Sequence, residues 1–118
     1  MIVADTNVWI AYLSGGSGRD VDAFEAALVD HILRMAPIVL SELLTDPALS
    51  EEVEAELSAI PVLDLQPGFW VRTGKLRRTG KSRLADTMIA QLCIDYDAVL
   101  LTRDAGFRQF EPLGLKLF

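Results

Sequence analysis

Four acidic side chains are the residues of this sequence that could carry out chemistry together. They are Asp5, Glu42, Asp86 and Asp104, which lie at four separated points of the chain. Three of them, Asp5, Glu42 and Asp104, stand where an apolar run stops. Acids just beyond buried strands stand where open α/β sheets build their functional sites. Four carboxylates that converge in one place repel each other unless a cation or bound protons intervene. The sequence therefore predicts an acidic crevice that binds a hard cation, Mg²⁺ or Mn²⁺, through oxygen ligands.

Each of the four acids also has a structural explanation. Asp5 could cap the helix that follows it, and Asp104 could form a turn. Glu42 could be a favourable charge in the first turn of a helix. Asp86 fits this kind of explanation less well, because helical spacing places it at the margin of an apolar face, although a cap at the start of its helix remains an alternative. Both kinds of explanation stay open at this point.

The elements that must position these acids alternate between strands and helices, which indicates a parallel sheet covered by helices. The predicted strands are Ile2–Ala4, Ile38–Leu40, Pro61–Leu65, Ala98–Thr102 and Leu115–Phe118. The predicted helices are Val8–Leu13, Asp20–Met35, a short helix from Ser41, Ala48–Ala59, Phe69–Arg78, Leu84–Tyr96 and a turn at Ala105–Phe110. Pro37 is interpreted as the break between the second helix and the second strand. We expect residues 1–118 to form one domain.

The composition excludes several classes of protein. The single cysteine, Cys93, rules out an intrachain disulfide and a cysteine-based zinc site, and it is typical of a reducing, cytoplasmic compartment. We expect neither a signal peptide nor a membrane span. The net charge of −6 argues against broad, non-specific binding to nucleic acid. His31 is the only histidine, so a two-histidine ribonuclease mechanism is excluded, and a surface or half-buried role is predicted for it.

Positive charge is concentrated in one segment. Six of the eleven basic residues lie in it: Arg72, Lys75, Arg77, Arg78, Lys81 and Arg83. They could neutralise the phosphates of an RNA backbone, in which case binding would weaken with salt. Alternatively, they form a solvated helix face that balances the acidic helix at 51–56. Trp9 is predicted to lie in the core, whereas Trp70 could belong to the core or face a partner.

Four segments resemble those of PIN domains, specifically the VapC-type toxin ribonucleases. They are Met1-Ile-Val-Ala-Asp-Thr-Asn-Val-Trp-Ile, Ile38-Val-Leu-Ser-Glu-Leu-Leu, Leu84-Ala-Asp-Thr-Met-Ile-Ala and Leu100-Leu-Thr-Arg-Asp-Ala-Gly-Phe. Their order and approximate spacing are similar to those of the family over nearly the whole chain. The resemblance implies an α/β fold, namely a three-layer α/β/α sandwich with a central parallel sheet of strand order 3-2-1-4-5.

The same resemblance implies a Mg²⁺- or Mn²⁺-dependent endoribonuclease. Asp5 and Asp86 would be the main metal ligands, and Asp104 would complete the site directly or through water. Glu42 would orient or deprotonate the attacking water. Two accessory polar positions of the family match Asn7 and Thr102.

The resemblance also implies partners. Similar toxins cut RNA, are neutralised by a small antitoxin protein and often form homodimers, and no membrane is involved. This chain departs from the family in the 43 residues between Glu42 and Asp86, which is a short separation. That region commonly helps to form the dimer and antitoxin surfaces, so the departure bears on partner geometry and leaves the acidic site intact.

Other functions stay open beside this one. A receiver-type phosphoacceptor domain has a similar length, and Asp64 stands in a loop like its phosphoacceptor loop. However, the paired acids expected after the first strand are replaced by Asp5-Thr6, and the lysine expected after the last strand is missing. A haloacid-dehalogenase-type phosphatase would need an acid where Asn7 stands. A non-catalytic PIN-like binding module is the third alternative, and the intact set of acids argues against it.

Overall fold

A computed structural model describes all residues, Met1–Phe118, and contains a four-stranded parallel sheet flanked by helices. The strands are β1 (Ile2–Ala4), β2 (Leu33–Arg34), β3 (Val99–Leu101) and β4 (Lys116–Leu117), in the order β2-β1-β3-β4. The helices are α1 (Thr6–Leu13), α2 (Arg19–Val29), α3 (Pro37–Leu43), α4 (Glu51–Ser58), α5 (Phe69–Arg77) and α6 (Leu84–Tyr96). A 3₁₀ helix, Ala105–Leu113, connects β3 to β4. No helix combines the length and the apolar composition that crossing a membrane requires.

Strand β1 lies inside the sheet and pairs in parallel with both β2 and β3. Ala4, its last residue, is opposite Leu101, the last residue of β3. The ladder continues one residue further, because the backbone N–H of Asp5 donates to the carbonyl of Leu101 at 2.8 Å. The residues that follow β1 and β3 therefore emerge side by side at one edge of the sheet, the edge where α/β sheets place their sites.

The predicted fold is confirmed, although the third predicted strand is reduced to one bridge. Pro61–Leu65 contributes only the parallel bridge between Met35 and Val62, beside β2. Counting that bridge as a strand restores the predicted order 3-2-1-4-5. Receiver domains have the order 2-1-3-4-5 instead. The observed topology therefore excludes the receiver alternative.

The prediction of a strand at Ile38–Leu40 is wrong. These residues lie inside α3, which begins at Pro37, and the strand comes earlier, at Leu33–Arg34. Proline is favoured in the first turn of a helix, where its missing N–H has no helical partner to lose. A short apolar run also fits a buried strand and a buried helix face equally well. The predicted helix Asp20–Met35 is correspondingly too long, because α2 ends at Val29.

Aromatic packing holds α1 in place beneath the site. Trp9 is confirmed as a core residue, only 1% exposed, and its ring meets Phe24 of α2 edge-on with centroids 4.7 Å apart. Tyr12 packs against the same Phe24 ring at 4.5 Å. These contacts fix α1, which begins directly after Asp5, against α2. Trp70, by contrast, is 60% exposed and does not belong to the core.

Candidate active site

Asp5 is the most buried of the four acids, with 7% of its surface exposed. It follows β1 and caps α1, because its Oδ1 accepts the backbone N–H of Thr6 at 2.8 Å. Its other oxygen, Oδ2, accepts the hydroxyl of Thr102 at 2.8 Å, across from the end of β3. A carboxylate has about four lone-pair positions, so two hydrogen bonds leave capacity for a cation. The capping explanation of Asp5 is thus confirmed and does not compete with a functional one.

The hydroxyl of Thr102 links two of the acids. It donates to Asp5 and accepts the backbone N–H of Asp104 at 3.0 Å. The Asp104 carboxylate accepts the backbone N–H of Gly106 at 2.8 Å, which caps the 3₁₀ helix. The predicted turn role of Asp104 is therefore confirmed. The Thr102 hydroxyl therefore acts on both acids: it lowers the pKa of Asp5 and it holds the backbone of Asp104 in place.

Asp86 reaches the site from α6. It is half-buried in the first turn of the helix, where the helix dipole favours a negative charge, and no side chain caps this helix. Helical spacing places it on the face of Ile89, Ala90 and Cys93, and all three are buried. The alternative that Asp86 caps the helix is wrong, because Arg83 is the N-cap residue and no side chain caps α6, whereas its position beside the apolar face is confirmed.

Glu42 reaches the site from α3, and its structural explanation is wrong. It stands near the end of α3, not in the first turn, and the helix dipole opposes a negative charge there. It also does not directly follow a strand. The nearby Thr6 hydroxyl favours the ionised form of Glu42, yet the two groups do not form a hydrogen bond of ordinary geometry. The buried Thr6 Oγ1 has no hydrogen-bond partner.

The four acids influence one another electrostatically. Burial is the largest cause that raises the pKa of Asp5, Glu42 and Asp86 above their ordinary values. The charge of Asp5 adds to this by raising the pKa of both Glu42 and Asp86. The charge of Asp104 raises the pKa of Asp5 and Asp86 in the same way. The structure therefore brings together the four acids that the sequence places far apart.

The donor set fits a hard divalent cation in its chemistry. No group of three or more His, Cys, Asp or Glu side chains is arranged as a formed metal centre. The available donors are carboxylate oxygens with hydroxyl and amide oxygens beside them, which are the ligands that Mg²⁺ and Mn²⁺ prefer. Burial and, to a lesser extent, the charges of the neighbouring acids raise the pKa values of Asp5, Glu42 and Asp86, and a bound cation would favour the ionised carboxylates.

Arg103 and Asp20 are site-positioning residues that the sequence analysis missed. The Arg103 guanidinium binds the Asp20 carboxylate at 2.5 and 3.2 Å and the carbonyl of Ser17 at 3.1 Å. The backbone N–H of Arg103 donates to Asn7 Oδ1 at 3.2 Å. The loop before α2 is thereby tied to the end of β3 and the start of α1. The only sequence signal was the position of this arginine within the Thr-Arg-Asp segment.

Replacing Asp20 by asparagine is expected to raise the metal concentration needed for half-maximal activity roughly tenfold. The pair with Arg103 holds the segment that carries Asp104, so its loss loosens the site while the exposed ion pair adds little to global stability. The matched control is Asp22→Asn, because Asp22 lies in the same first turn of α2 and makes no side-chain hydrogen bond. Equal metal requirements in the two variants would contradict this positioning role.

Replacing Thr102 by valine is expected to lower activity roughly tenfold and to shift its acidic limb to higher pH. The Thr102 hydroxyl lowers the pKa of Asp5, so its removal leaves that carboxyl protonated over a wider pH range. The pH profile of kcat/KM measures the shift. Thr102→Ser keeps the hydroxyl and should keep the profile; a valine profile identical to that of the serine variant would rule out this function of the hydroxyl.

The basic segment is only partly available to a ligand. Arg72 is held by Asp95 through two hydrogen bonds, at 3.0 and 2.6 Å, and by the carbonyl of Pro67 at 2.7 Å. Arg77 donates to the carbonyl of Ser82 at 3.2 Å. These two arginines stabilise the packing around α5 and α6.

The end of the segment lies next to the acids. Lys81 and Arg83 line a cavity of about 190 Å³ together with Asp86 and Asp104. Arg83 also lowers the pKa of Asp86. The exposed pair Lys75 and Arg78 does not line this cavity. The structure thus brings only the last part of the predicted RNA-binding segment to the site.

Neither the cysteine nor the histidine offers a nucleophile. Cys93 is buried, and desolvation together with the charge of Asp5 raises the pKa of its thiol to about 12. His31 is exposed in the turn after α2, where its φ of 55° places it in the left-handed region. The surface position predicted for His31 is confirmed.

Comparisons with known proteins show the family and the fold. The PIN domain family model matches residues 2–111. VapBC2 from Rickettsia felis, solved with a promoter DNA fragment, has a TM-score of 0.76 at 20% identity, covering 100% of this chain and 98% of that one. A toxin–antitoxin complex from Klebsiella pneumoniae has a TM-score of 0.71 at 21% identity, covering 88% and 87%. DNA-bound VapBC from Salmonella typhimurium has a TM-score of 0.69 at 21% identity, covering 99% and 96%.

No significant match was found among curated proteins. The solved structures are all remote in sequence, so they support the fold and not the details of the site. The family model is the stronger finding, because it spans nearly the whole chain and includes all four acids. On this basis the chain belongs to the PIN domain family.

Proposed function

We propose that this chain is a metal-dependent endoribonuclease that hydrolyses RNA phosphodiesters. The observation that carries the proposal is the electrostatic convergence of Asp5, Glu42 and Asp86 with Asp104 at one edge of the sheet. Membership of the PIN family supports nuclease activity. The similarity in fold to toxin–antitoxin complexes supports a role as the toxin of such a pair, acting on cytoplasmic RNA.

Each acid has a distinct role in the proposal. A Mg²⁺ or Mn²⁺ ion bound here would supply charge to stabilise the phosphate and lower the pKa of water. Asp5 and Asp86 would hold the ion, and Asp104 would complete the site directly or through water. Glu42 accepts a proton from the attacking water, for which its exposed position and raised pKa suit it. Thr102 and Asn7 keep the carboxylates and the neighbouring backbone in place.

The products follow from the chemistry of the attacking group. Water attacks the phosphorus in line and displaces the 3′ oxygen, which leaves 5′-phosphate and 3′-hydroxyl ends. The ribose 2′-hydroxyl takes no part in this reaction. Cleavage through the 2′-hydroxyl would instead produce a cyclic phosphate and would need two acid–base groups in place of a cation.

The test is RNA cleavage by the purified protein with Mg²⁺, with Mn²⁺ and with EDTA, followed by analysis of the ends. We expect cleavage with either metal, none in EDTA, and 5′-phosphate products. Cleavage that persists in EDTA, or cyclic phosphate ends, would overturn the proposal. A non-catalytic PIN-like module, the remaining alternative, would bind its partner without cleaving RNA under any of these conditions.

We further propose a small antitoxin as partner and a homodimer as the working state. The support is an apolar cavity of about 220 Å³, which is lined by the exposed side chains of Leu65 and Trp70 and by the partly buried Met88. Trp70 and the neighbouring Val71 are each more than half exposed. Co-expression with the product of the adjacent reading frame, followed by mass measurement in solution, tests both parts. A chain that remains monomeric and unbound would contradict them.

A further inference from the structure

Two cavities meet at Asp104. The smaller, of about 190 Å³, is lined by Asp104 with Lys81 and Arg83. The larger, of about 460 Å³, is lined by Asp104 with Arg103 and Arg108. Asp104 is the only residue that lines both. An extended ligand that passes over this acid would therefore enter one cavity on each side of it.

Each cavity is lined by at least one basic side chain that forms no salt bridge. The structure has three salt bridges, which engage Arg72, Arg103 and Lys116. Lys81 and Arg83 take part in none of them, although Asp86 and Asp104 line the same cavity. The same is true of Arg108, whose cavity also contains Glu111. In a chain of net charge −6, these cations beside the acidic site are free to bind an anionic ligand.

The two cavities differ in what they can hold. Small-molecule pockets have volumes of about 300–1,000 Å³, and the larger cavity falls within that range. The smaller cavity falls below it, so it suits a phosphate and part of a sugar but not a base as well. Arg103, fixed by Asp20, contributes a rigid wall to the larger cavity.

We propose that single-stranded RNA crosses the site over Asp104, with flanking phosphates held by Lys81 and Arg83 on one side and by Arg108 on the other. The larger cavity, on the Arg108 side, also receives a base and contributes most of the sequence preference. This inference rests on the proposed endoribonuclease function and adds to it the path of the substrate. Arg108 lies outside the basic segment and enters only through the structure.

The test uses RNA oligonucleotides that are cut at one mapped position and are shortened from either end. For the unaltered protein, we expect KM to rise when nucleotides are removed on either side. Arg108→Gln should abolish that dependence on one side only. The double variant Lys81→Gln with Arg83→Gln should abolish it on the other side only. Base substitutions should change kcat/KM more on the side governed by Arg108.

A second measurement separates phosphate contacts from effects on folding. The affinity of the Asp5→Asn protein for RNA is measured at several salt concentrations. The logarithm of the binding constant falls linearly with the logarithm of the salt concentration, and each lost phosphate contact should reduce the magnitude of this slope by about 0.7. The control is Lys116→Gln, which removes one positive charge that lines neither cavity and is paired with Asp97. We expect that variant to keep the length dependence and the slope of the unaltered protein.

The outcomes separate the two proposals. The substrate path is overturned if Arg108→Gln and the double variant lose the dependence of KM on RNA length on the same side. It is also overturned if both keep this dependence and the salt slope of the unaltered protein. In either case the endoribonuclease function stands. If the unaltered protein cleaves no RNA with either metal, the endoribonuclease function and the path that rests on it both fail.

Discussion

Replacing Asp5 by asparagine is expected to slow RNA cleavage by on the order of 10²–10³-fold while the protein remains folded. Asp5 is the most buried acid, and its charge acts on Glu42, Asp86 and Cys93 alike. It therefore occupies the centre of the electrostatic cluster. Asparagine is as good a helix cap as aspartate, so the start of α1 is preserved while the negative charge is removed.

The measurement is kcat/KM for a defined RNA, with thermal unfolding as a check on folding. Asp64→Asn is the matched control, because Asp64 is exposed and its charge is not coupled to the four acids. Asp5→Asn combined with Asp86→Asn should lose little more activity than Asp5→Asn alone, since residues that act as a unit are not additive. An Asp5→Asn protein that keeps more than a tenth of the activity would refute the assignment of this acid.

The second large effect concerns stability. We expect the free energy of unfolding to fall as the pH rises and to increase when a metal ion binds. Burial and neighbouring charges raise the pKa of Asp5 above its ordinary value of 3.8, so the folded protein retains a proton that the unfolded chain has released. The free energy of unfolding in EDTA should therefore fall as the pH rises above about 4. Glu42 and Asp86 contribute with the same sign. Asp20, whose pKa is lowered, acts in the other direction but only at lower pH.

Saturating Mg²⁺ or Mn²⁺ should reverse this loss, by about 2.7 kcal/mol at a metal concentration 100 times the dissociation constant. The Asp5→Asn protein should show the opposite ranking: more stable than the unaltered protein in EDTA at neutral pH, and less stable in excess metal. Denaturant unfolding at several pH values, with and without metal, measures both. If metal stabilises the two proteins equally, the buried carboxylate is not part of the binding site.

The parts of the fold predicted well were those with a strong local signal. Leu84–Tyr96 was predicted with the observed bounds, because its long apolar pattern has helical spacing and a break on either side. Strand β1 and the four acids were likewise recognised from short motifs, because the order of these motifs along the chain resembles that of PIN domains. The prediction of a strand at Ile38–Leu40 is wrong for the opposite reason. Three apolar residues are too few to show a helical or a strand periodicity, and Pro37 fits the start of a helix as well as a break.

The parts of the site that could not be predicted depend on contacts between distant segments. The pair of Arg103 with Asp20 joins residues 83 positions apart, and neither has an unusual neighbour in the sequence. The basic segment shows the same limit, because only the fold reveals that Arg72 is already bound by Asp95. Arg108 lies outside the basic segment, and it became a candidate RNA-binding residue only when the structure placed it in a cavity with Asp104.

The reduced third strand has a consequence for assembly. At one margin of the sheet the backbone is paired only through the bridge of Met35 with Val62, and at the other β4 has just two residues. Margins this short offer almost no backbone template for another chain to extend. Two copies of this protein, or the protein and a partner, must therefore join through side chains on the helices. The short margins also protect the sheet from edge-to-edge polymerisation, because they leave too few backbone groups for another strand to pair with.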